Sequence, residues 1–388
     1  MQYIPWLNRT IFALGLVSFF SDLGSEMATS VLPAFIVSIG ASAAFLGLIE
    51  GLADASNSFT SILAGWGSDY MQRRKPFAAI GYLMASVGIG ILSFAQQWYH
   101  IIFGRVLTRV GKGVREPARD VLLVSAAHRS VYGRVFGFHR MMDKLGGVFG
   151  PLMALFLVRI IPIRLIFLLA SVPVFISFLI VVFFITDIRG KRYLDIQPAE
   201  IIALPSLYKS YILAVGIFGL GNCATSLLVL RSLELLRPHI GSHYADWYSI
   251  FFYMLLNTLY AICSYPIGSL ADFIGKRKVL IIGYFLMACG LLGFARDQSE
   301  IWYLTVLFII MGIANASIDG LQRAVATDFL PVDIRGTGYG ILASVIGFGN
   351  LFSSIIVGLL WSSISPLVGF AYAAVFCTLG ALLMMRVK

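Results

Sequence analysis

The chain has 388 residues, of which 59% are hydrophobic and only 12% charged, with a net charge of +10 at neutral pH. A soluble chain carries about 25% charged residues, so this composition excludes a water-soluble globular fold and makes lipid the main solvent. The basic surplus points to basic loops at a membrane surface, not to a nucleic-acid face, because no segment is both basic and polar enough to dock a duplex.

A spanning helix needs about 20 apolar residues. Twelve segments qualify in chain order: 11–39, 43–67, 76–96, 98–126, 133–158, 164–186, 209–236, 246–271, 278–296, 301–329, 336–362 and 366–386. The first is too long for a cleavable signal peptide and is expected to be a span. Pro33, Pro117, Pro151 and Pro266 fall inside segments and are expected to kink them. The longest polar stretch begins at Asp187 and splits the twelve into six plus six. The predicted organisation is an N-terminal bundle 1–186, a cytoplasmic linker 187–208 and a C-terminal bundle 209–388.

Basic residues set the orientation. Arg73, Arg74 and Lys75, then Arg129 and Arg134, then Arg189, Lys191 and Arg192, then Lys276, Arg277 and Lys278 fall in alternate loops. The opposite loops 40–42, 95–100 and 362–366 carry no Lys or Arg, with Arg159, Arg164, Arg237 and Arg296 as exceptions on that side, so both termini are expected to be cytoplasmic. Cys223, Cys263, Cys289 and Cys377 all lie in apolar segments without a CxxC or a neighbouring His, so neither a metal site nor a disulfide framework is expected.

One motif occurs twice. Gly268-Ser269-Leu270-Ala271-Asp272-Phe273-Ile274-Gly275-Lys276-Arg277-Lys278 is echoed 203 residues earlier by Gly65-Trp66-Gly67-Ser68-Asp69-Tyr70-Met71-Gln72-Arg73-Arg74-Lys75. The same offset pairs Gly133 with Gly336, Gly137 with Gly340 and Gly146 with Gly349. A constant offset over glycines and charges signals one duplicated half.

Twelve segments, the six-plus-six split and this loop motif resemble the major facilitator superfamily over essentially the whole chain. The first copy departs from the family's pattern, with Gly67 for Leu, Tyr70 for a basic residue and Gln72 for Gly. The run Gly104-Arg105-Val106-Leu107-Thr108-Arg109-Val110-Gly111-Lys112-Gly113 resembles the family's helix-4 motif, with Arg105 as its arginine, Arg109 in place of the first glycine and Lys112 as an added charge. Gly137, Gly146 and Gly150-Pro151 resemble its helix-5 antiporter motif, although Ala154 and Leu155 replace the trailing glycines. Gly111–Asp120 and Gly137–Pro151 look like a bacterial subgroup of that family. The resemblance implies an all-α polytopic membrane protein with 12 transmembrane helices in two pseudo-symmetric six-helix bundles. It also implies a monomeric transporter, not an enzyme, in a bacterial inner membrane. It assigns a gating role to Gly65, Asp69, Arg73, Arg74, Gly268, Asp272, Gly275, Lys276 and Arg277, with Asp69 meeting the start of helix 11 near Gly336 and Asp272 the start of helix 5 near Gly133. A helix N-terminus suits an acid there, since its N–H groups are free. The plainer alternative is a pair of solvated loop acids.

Buried charge is the strongest site signal. Asp22 and Glu26, and likewise Glu50 and Asp54, are four residues apart and share a helical face. Asp22 sits about 16 Å into its span, near the middle of the bilayer. Arg105, Arg109, Lys112, Arg115 and Arg119 form a basic stripe on helix 4, and helix 5 carries His139, Arg140, Asp143 and Lys144. Unpaired charges at this depth are costly, so they must face one another or water. Two readings stand: a structural ion-pair network, or a proton relay with part of a substrate cavity. On the second, Asp22, Glu26, Glu50, Asp54 and Asp143 are proton carriers, and Arg105, Arg109, Lys112, Arg115 and Arg140 contact substrate. Asn222, Asp319 and Arg323 are cavity candidates of the C-terminal half, while Arg231 and Glu234 lie nearer the outer end.

Gly111-Lys112-Gly113 lacks a P-loop frame, so no cofactor is expected and a proton gradient is the expected energy source. The helix-5 spacing favours efflux of a small organic compound or drug by proton antiport. The alternative is proton-coupled uptake of an anionic metabolite or iron chelate, favoured by the basic surplus on helix 4. A sensor or membrane enzyme on the same fold is the third possibility, with no catalytic constellation behind it. The expected partners are the lipid bilayer, a small-molecule substrate and protons, with no nucleic acid.

Overall fold

Lipid offers no hydrogen-bond partner to a peptide group, so each apolar run closes its own bonds as a helix. The computed structural model describes residues 7–71, 73–126, 132–187, 205–330 and 335–387. Among these residues the regular structure is all helical: α1 (Arg9–Ser38), α2 (Ala43–Met71), α3 (Lys75–Ser93), α4 (Trp98–Ser125), α5 (Tyr132–Leu157), α6 (Ile163–Phe184), α7 (Ser206–Gly219), α8 (Thr225–Ile274), α9 (Lys276–Phe294), α10 (Ile301–Phe329), α11 (Arg335–Ser363) and α12 (Pro366–Arg386). Eight stretches among the described residues are long and apolar enough to cross a membrane. The charge-bearing helices α2, α4 and α5 are not among them. Pro33, Pro117, Pro151 and Pro266 all lie inside helices.

Helix ends match the expected segments to within about four residues, except around the seventh. The segment 209–236 is not one helix: α7 stops at Gly219 and α8 starts at Thr225. The break is held from outside. Ala224 N–H donates to Ser354 Oγ at 3.0 Å, and Asn222 Nδ2 donates to Asn350 Oδ1 at 3.1 Å, both on α11. Irregular backbone at membrane depth survives only where protein or a cavity satisfies it. Within α8 two helices meet at Gly241, whose φ of 78° and ψ of 164° are non-helical and suit a glycine, so the expected separation of the segments ending at 236 and starting at 246 falls on that break.

The chain divides into two compact units, Met1–Val31 with Ser56–Ile196, and Leu32–Ala55 with Gln197–Lys388. In the first, α3 and α4 pack through reciprocal glycines. A Cβ at Gly88 would meet the Gly104 carbonyl oxygen at 2.6 Å, and one at Gly104 the Gly88 oxygen at 2.8 Å. Such close approach lets backbones pack where lipid gives no hydrophobic drive. The N-terminus of α3 is capped by Asp187, whose Oδ1 accepts from the Arg74 and Lys75 N–H groups, each at 3.1 Å. Ile11, Leu14, Val17, Tyr82, Leu122 and Val181 form the apolar core beside it.

The second unit has an aromatic core: Phe252 stacks on Phe308 at 5.0 Å, and Phe294 meets Phe308 edge-on at 5.2 Å. Residues 32–55, expected in the N-terminal bundle, cluster here because α2 starts against α11. Ala44 N–H donates to Ser362 Oγ at 2.9 Å, and a Cβ on Gly358 would meet the Ala43 oxygen at 2.6 Å.

Candidate functional site

The charged residues of the first unit gather where α5 lies against α1. The seam is made by small residues. A Cβ on Gly146 would strike the Phe19 carbonyl oxygen and lie 3.1 Å from Asp22 Cβ. One on Gly150 would strike the Leu23 oxygen and lie 2.9 Å from Met27 N, and one on Gly147 would sit 4.0 Å from Glu26 Cγ. The two helices therefore run in register, with Gly15 beside Phe138 and Met142, and Asp22 beside Gly146. Between these levels Ser18 Oγ donates to Asp143 Oδ1. One turn before Asp143, His139 Nδ1 lies 3.9 Å from Asp143 Oδ2. His139 is buried, and its Nε2 has no hydrogen-bond partner among the described residues.

Helix α4 brings the basic stripe to the same place. Arg105 is buried and its Nη1 donates to Thr29 Oγ1 at 3.0 Å. Lys112 Nζ lies 3.7 Å from Glu116 Oε1. Arg115 is buried over the Tyr82 ring, 4.6 Å from its centroid, with Nε and Nη1 unpartnered among the described residues. Arg119 donates Nε and Nη2 to Asp120 Oδ1 at 3.1 and 3.0 Å. Asp22 lies in the field of Asp143, Lys112, Glu26 and Arg115 together. The structure thus assembles Asp22, Glu26, Lys112, Arg115 and Asp143, while Arg140, three residues before Asp143 on α5, is exposed. Glu50, fully buried, and Asp54 belong to the second unit.

In that unit Asn222 pairs with Asn350 at the break before α8. Asp319 and Arg323 lie exposed in the second half of α10, and Tyr260 Oη donates to Asp319 Oδ2 at 2.8 Å. A Cβ on Gly320, between them, would meet nothing within 4 Å, so this face of α10 is open. Arg231 is an anchor between α8 and the end of α9. Buried, it donates Nε to the Phe294 oxygen at 3.2 Å and Nη2 to the Arg296 oxygen at 3.3 Å, and it pairs with Asp297.

Of the gating motif, Gly275 has φ 105° and caps the end of α8, as the motif glycine requires. Lys276 Nζ pairs with Asp328 Oδ1 at 3.0 Å, and Arg277 Nη1 donates to the Val387 oxygen. Gly65 faces Pro117, with 3.8 Å from a built Cβ to Pro117 Cβ, Gly268 faces open space and Arg73 is exposed. The side chains of Asp69 and Asp272 lie outside the described residues, as do the surroundings of Gly133, Gly137 and Gly336, so the expected gate contacts fall there too. Pro151 sits inside α5, one residue past Gly150.

Sequence reasoning missed four partners. Ser18 carried a signal, being one turn before Asp22 on the same face. Glu116 stood in the basic stripe four residues after Lys112. Tyr82 and Asp187 carried none, since their roles come from tertiary contacts.

A model of the Major Facilitator Superfamily matches residues 14–258 and 213–388. An uncharacterized MFS-type transporter of Methanocaldococcus jannaschii is 33% identical over 98% of this chain and 95% of its own length. The multi-drug resistance efflux pump PmrA of Streptococcus pneumoniae serotype 4 is 22% identical over 69% of this chain and 68% of its own. Among solved structures, a nucleoside transporter, NupG, superimposes with a TM-score of 0.79 at 13% identity, covering 97% of this chain and 98% of its own. A D-xylose-proton symporter superimposes with a TM-score of 0.74 at 16% identity, covering 97% of both chains.

Proposed function

Because the chain belongs to the Major Facilitator Superfamily and is a multi-pass membrane transporter, not an enzyme, we propose that it exports a small organic compound in exchange for protons. In this reading it is a monomer in a bacterial inner membrane that works by alternating access between its two halves, 1–186 and 209–388, with the proton gradient as energy source. The observation that carries it is the α1/α5 seam, where Asp22, near the middle of the α1 span, lies with Glu26 and Asp143 in the field of Lys112 and Arg115. A charge at such a depth costs about 2.5–3.5 kcal/mol on the insertion scale, and intramembrane acids of this kind mark proton relays. The efflux direction is supported by the antiporter spacing of α5 and by the likeness to a pump named for drug efflux. Glu50 and Asp54 join Asp22, Glu26 and Asp143 as proton carriers. Arg105, Arg109, Lys112, Arg115, Arg140, Asn222, Asp319 and Arg323 line the path of the substrate. Asp69 and Asp272, with the basic residues that follow them, gate the side of the basic loops.

The test uses everted membrane vesicles acidified by respiration and monitored with a pH-sensitive acridine dye. Ethidium, Hoechst 33342 and fluorescent organic anions are added in turn. Antiport of a probe releases protons and restores dye fluorescence with the wild type but not with Asp22→Asn. A second reading has its own observation. The unpartnered Nε and Nη1 of buried Arg115 suit an anionic group, as uptake of an anion with protons requires. Proton-driven accumulation of an anionic probe in intact cells would establish that reading and refute efflux.

A further inference from the structure

We infer that the α1/α5 seam is a proton wire, with His139 as its inner terminal and Ser18 as the residue that aims its middle rung. The inference rests on the proton-coupled reading above and assigns a role to two residues that the exchange itself does not require.

The rungs are set by helix geometry. On α5, His139 and Asp143 are one turn apart; on α1, Ser18, Asp22 and Glu26 are each one turn apart. Four residues rise about 6 Å, so each stripe climbs its helix at even steps. The glycines 146, 147 and 150 remove the side chains that would hold the stripes apart. The result is one file of ionisable groups, Glu26, Asp22, Asp143 and His139, leading toward the end of the seam that carries the basic loops.

Ser18 fixes the polarity of the middle rung. Its hydroxyl occupies Asp143 Oδ1, which leaves Oδ2 turned to the imidazole, 3.9 Å from Nδ1. That separation is just beyond hydrogen-bond reach, so a small turn of the ring opens or closes the contact. His139 Nε2 is then the loose end: buried, without a partner among the described residues, and on the far side of the ring from Asp143. A buried polar atom without a partner calls for an explanation, and a nitrogen kept free for proton exchange is one. The groups that face His139 are Glu116, Arg119 and Asp120 from α4 and Arg140 and Asp143 from its own helix. Tyr82 of α3 stands behind Arg119 and Arg115.

The step conserves protons and charge. A proton held by Asp22 moves to Asp143. The O–H bond at Asp143 Oδ2 breaks as an N–H bond forms at Nδ1 of His139, and the Nε2 proton leaves to water on the basic-loop side. The ring ends neutral in the other tautomer and returns by flipping. In antiport the file is therefore used from Glu26 to His139.

The experiment needs neither substrate nor gradient. Purified full-length protein in detergent is treated with dicyclohexylcarbodiimide, which reacts with protonated carboxyls in apolar surroundings. Peptide mass spectrometry then reads labelling of Asp22 and Asp143 across the neutral pH range. His139→Gln, which keeps the size of the side chain, is expected to shift the Asp143 profile by at least about half a pH unit. Asp143→Asn is expected to shift the Asp22 profile likewise. Ser18→Ala, a smaller perturbation of the fold, shifts Asp143 by the same mechanism and serves if His139→Gln does not fold. A purely structural His139 would lower the melting temperature and leave both profiles in place. Unchanged profiles in His139→Gln and Ser18→Ala overturn the wire, and so does an Asp143 that stays unlabelled at every pH. Dye recovery in the vesicles tests the exchange reading separately, so the two fail independently.

Discussion

Asp187 closes the open end of α3 from just past the end of α6, 112 residues along the chain from Lys75. One carboxylate oxygen takes two of the backbone N–H groups that a helix start leaves without partners, and its charge complements the helix dipole. Asp187→Ala removes both bonds and is expected to cost about 1–2 kcal/mol, read as a fall of a few degrees in the melting temperature. Asp187→Asn should recover part of the loss, since the amide oxygen still accepts. Identical melting of wild type and Asp187→Ala would show that water replaces the cap. Gly275 is the opposite case in legibility. The repeated motif marks it from the residue pattern alone, and its φ of 105° explains why a glycine stands there. Gly275→Ala forces a side chain into that conformation, at about 1–3 kcal/mol, and should lower the yield of folded protein and its melting temperature together. Asp187 was invisible because a capping acid after an apolar run looks like any loop acid; only the tertiary fold tells them apart.

At the scale of elements, apolar length was enough to find nearly every helix end, because in lipid a run of about 20 apolar residues has no other way to satisfy its backbone. The break between α7 and α8 was hidden for the same reason. Gly219, Leu220 and Gly221 read as apolar, and the groups that stabilise the break, Ser354 and Asn350, are on α11. Ser354→Ala leaves the Ala224 N–H without its partner, which costs about 1–3 kcal/mol for a buried donor. A smaller melting shift than that of Ser353→Ala, the neighbouring buried serine whose hydroxyl has no partner, would contradict this. The α1/α5 seam was half legible. The spacing of Gly146 and Gly150 announced a close contact, but not that it would seat Asp22 and Glu26. Gly146→Ala places a methyl against the Phe19 carbonyl oxygen. The helices must part, at about 1–3 kcal/mol, and the separated acids should lose the dye response even in protein that still folds. A variant with full dye response would mean that the seam only packs.

The two halves descend from one repeat, yet the candidate site belongs to one of them. At the 203-residue offset, Ser18, Asp22 and Glu26 correspond to Gly221, Thr225 and Val229, and His139 and Asp143 correspond to Leu342 and Ile346. Every ionisable rung of the seam is replaced by a group that cannot hold a proton, while the seam glycine Gly146 keeps its counterpart in Gly349. The small residue at the packing position is therefore kept in both copies and the ionisable groups in one. This asymmetry was legible in the sequence once the repeat was aligned, because charge in lipid is too costly to persist without a use. What the alignment could not show is where Glu116 and Asp120 of α4 have their counterparts, Asp319 and Arg323: on an open face of α10, with Asp319 held by Tyr260. On the proposed reading labour is divided, with protons assigned to the first unit and the open, polar face of α10 assigned to substrate. Asp319→Asn should then weaken the response to a transported probe about tenfold in half-saturating concentration, as loss of one charge-assisted contact does, while the dependence on the proton gradient stays as in the wild type. Asp22→Asn should do the reverse, abolishing the gradient dependence with probe binding retained. If Asp319→Asn removes the gradient dependence and leaves probe affinity unchanged, the division is wrong and coupling extends into the second half.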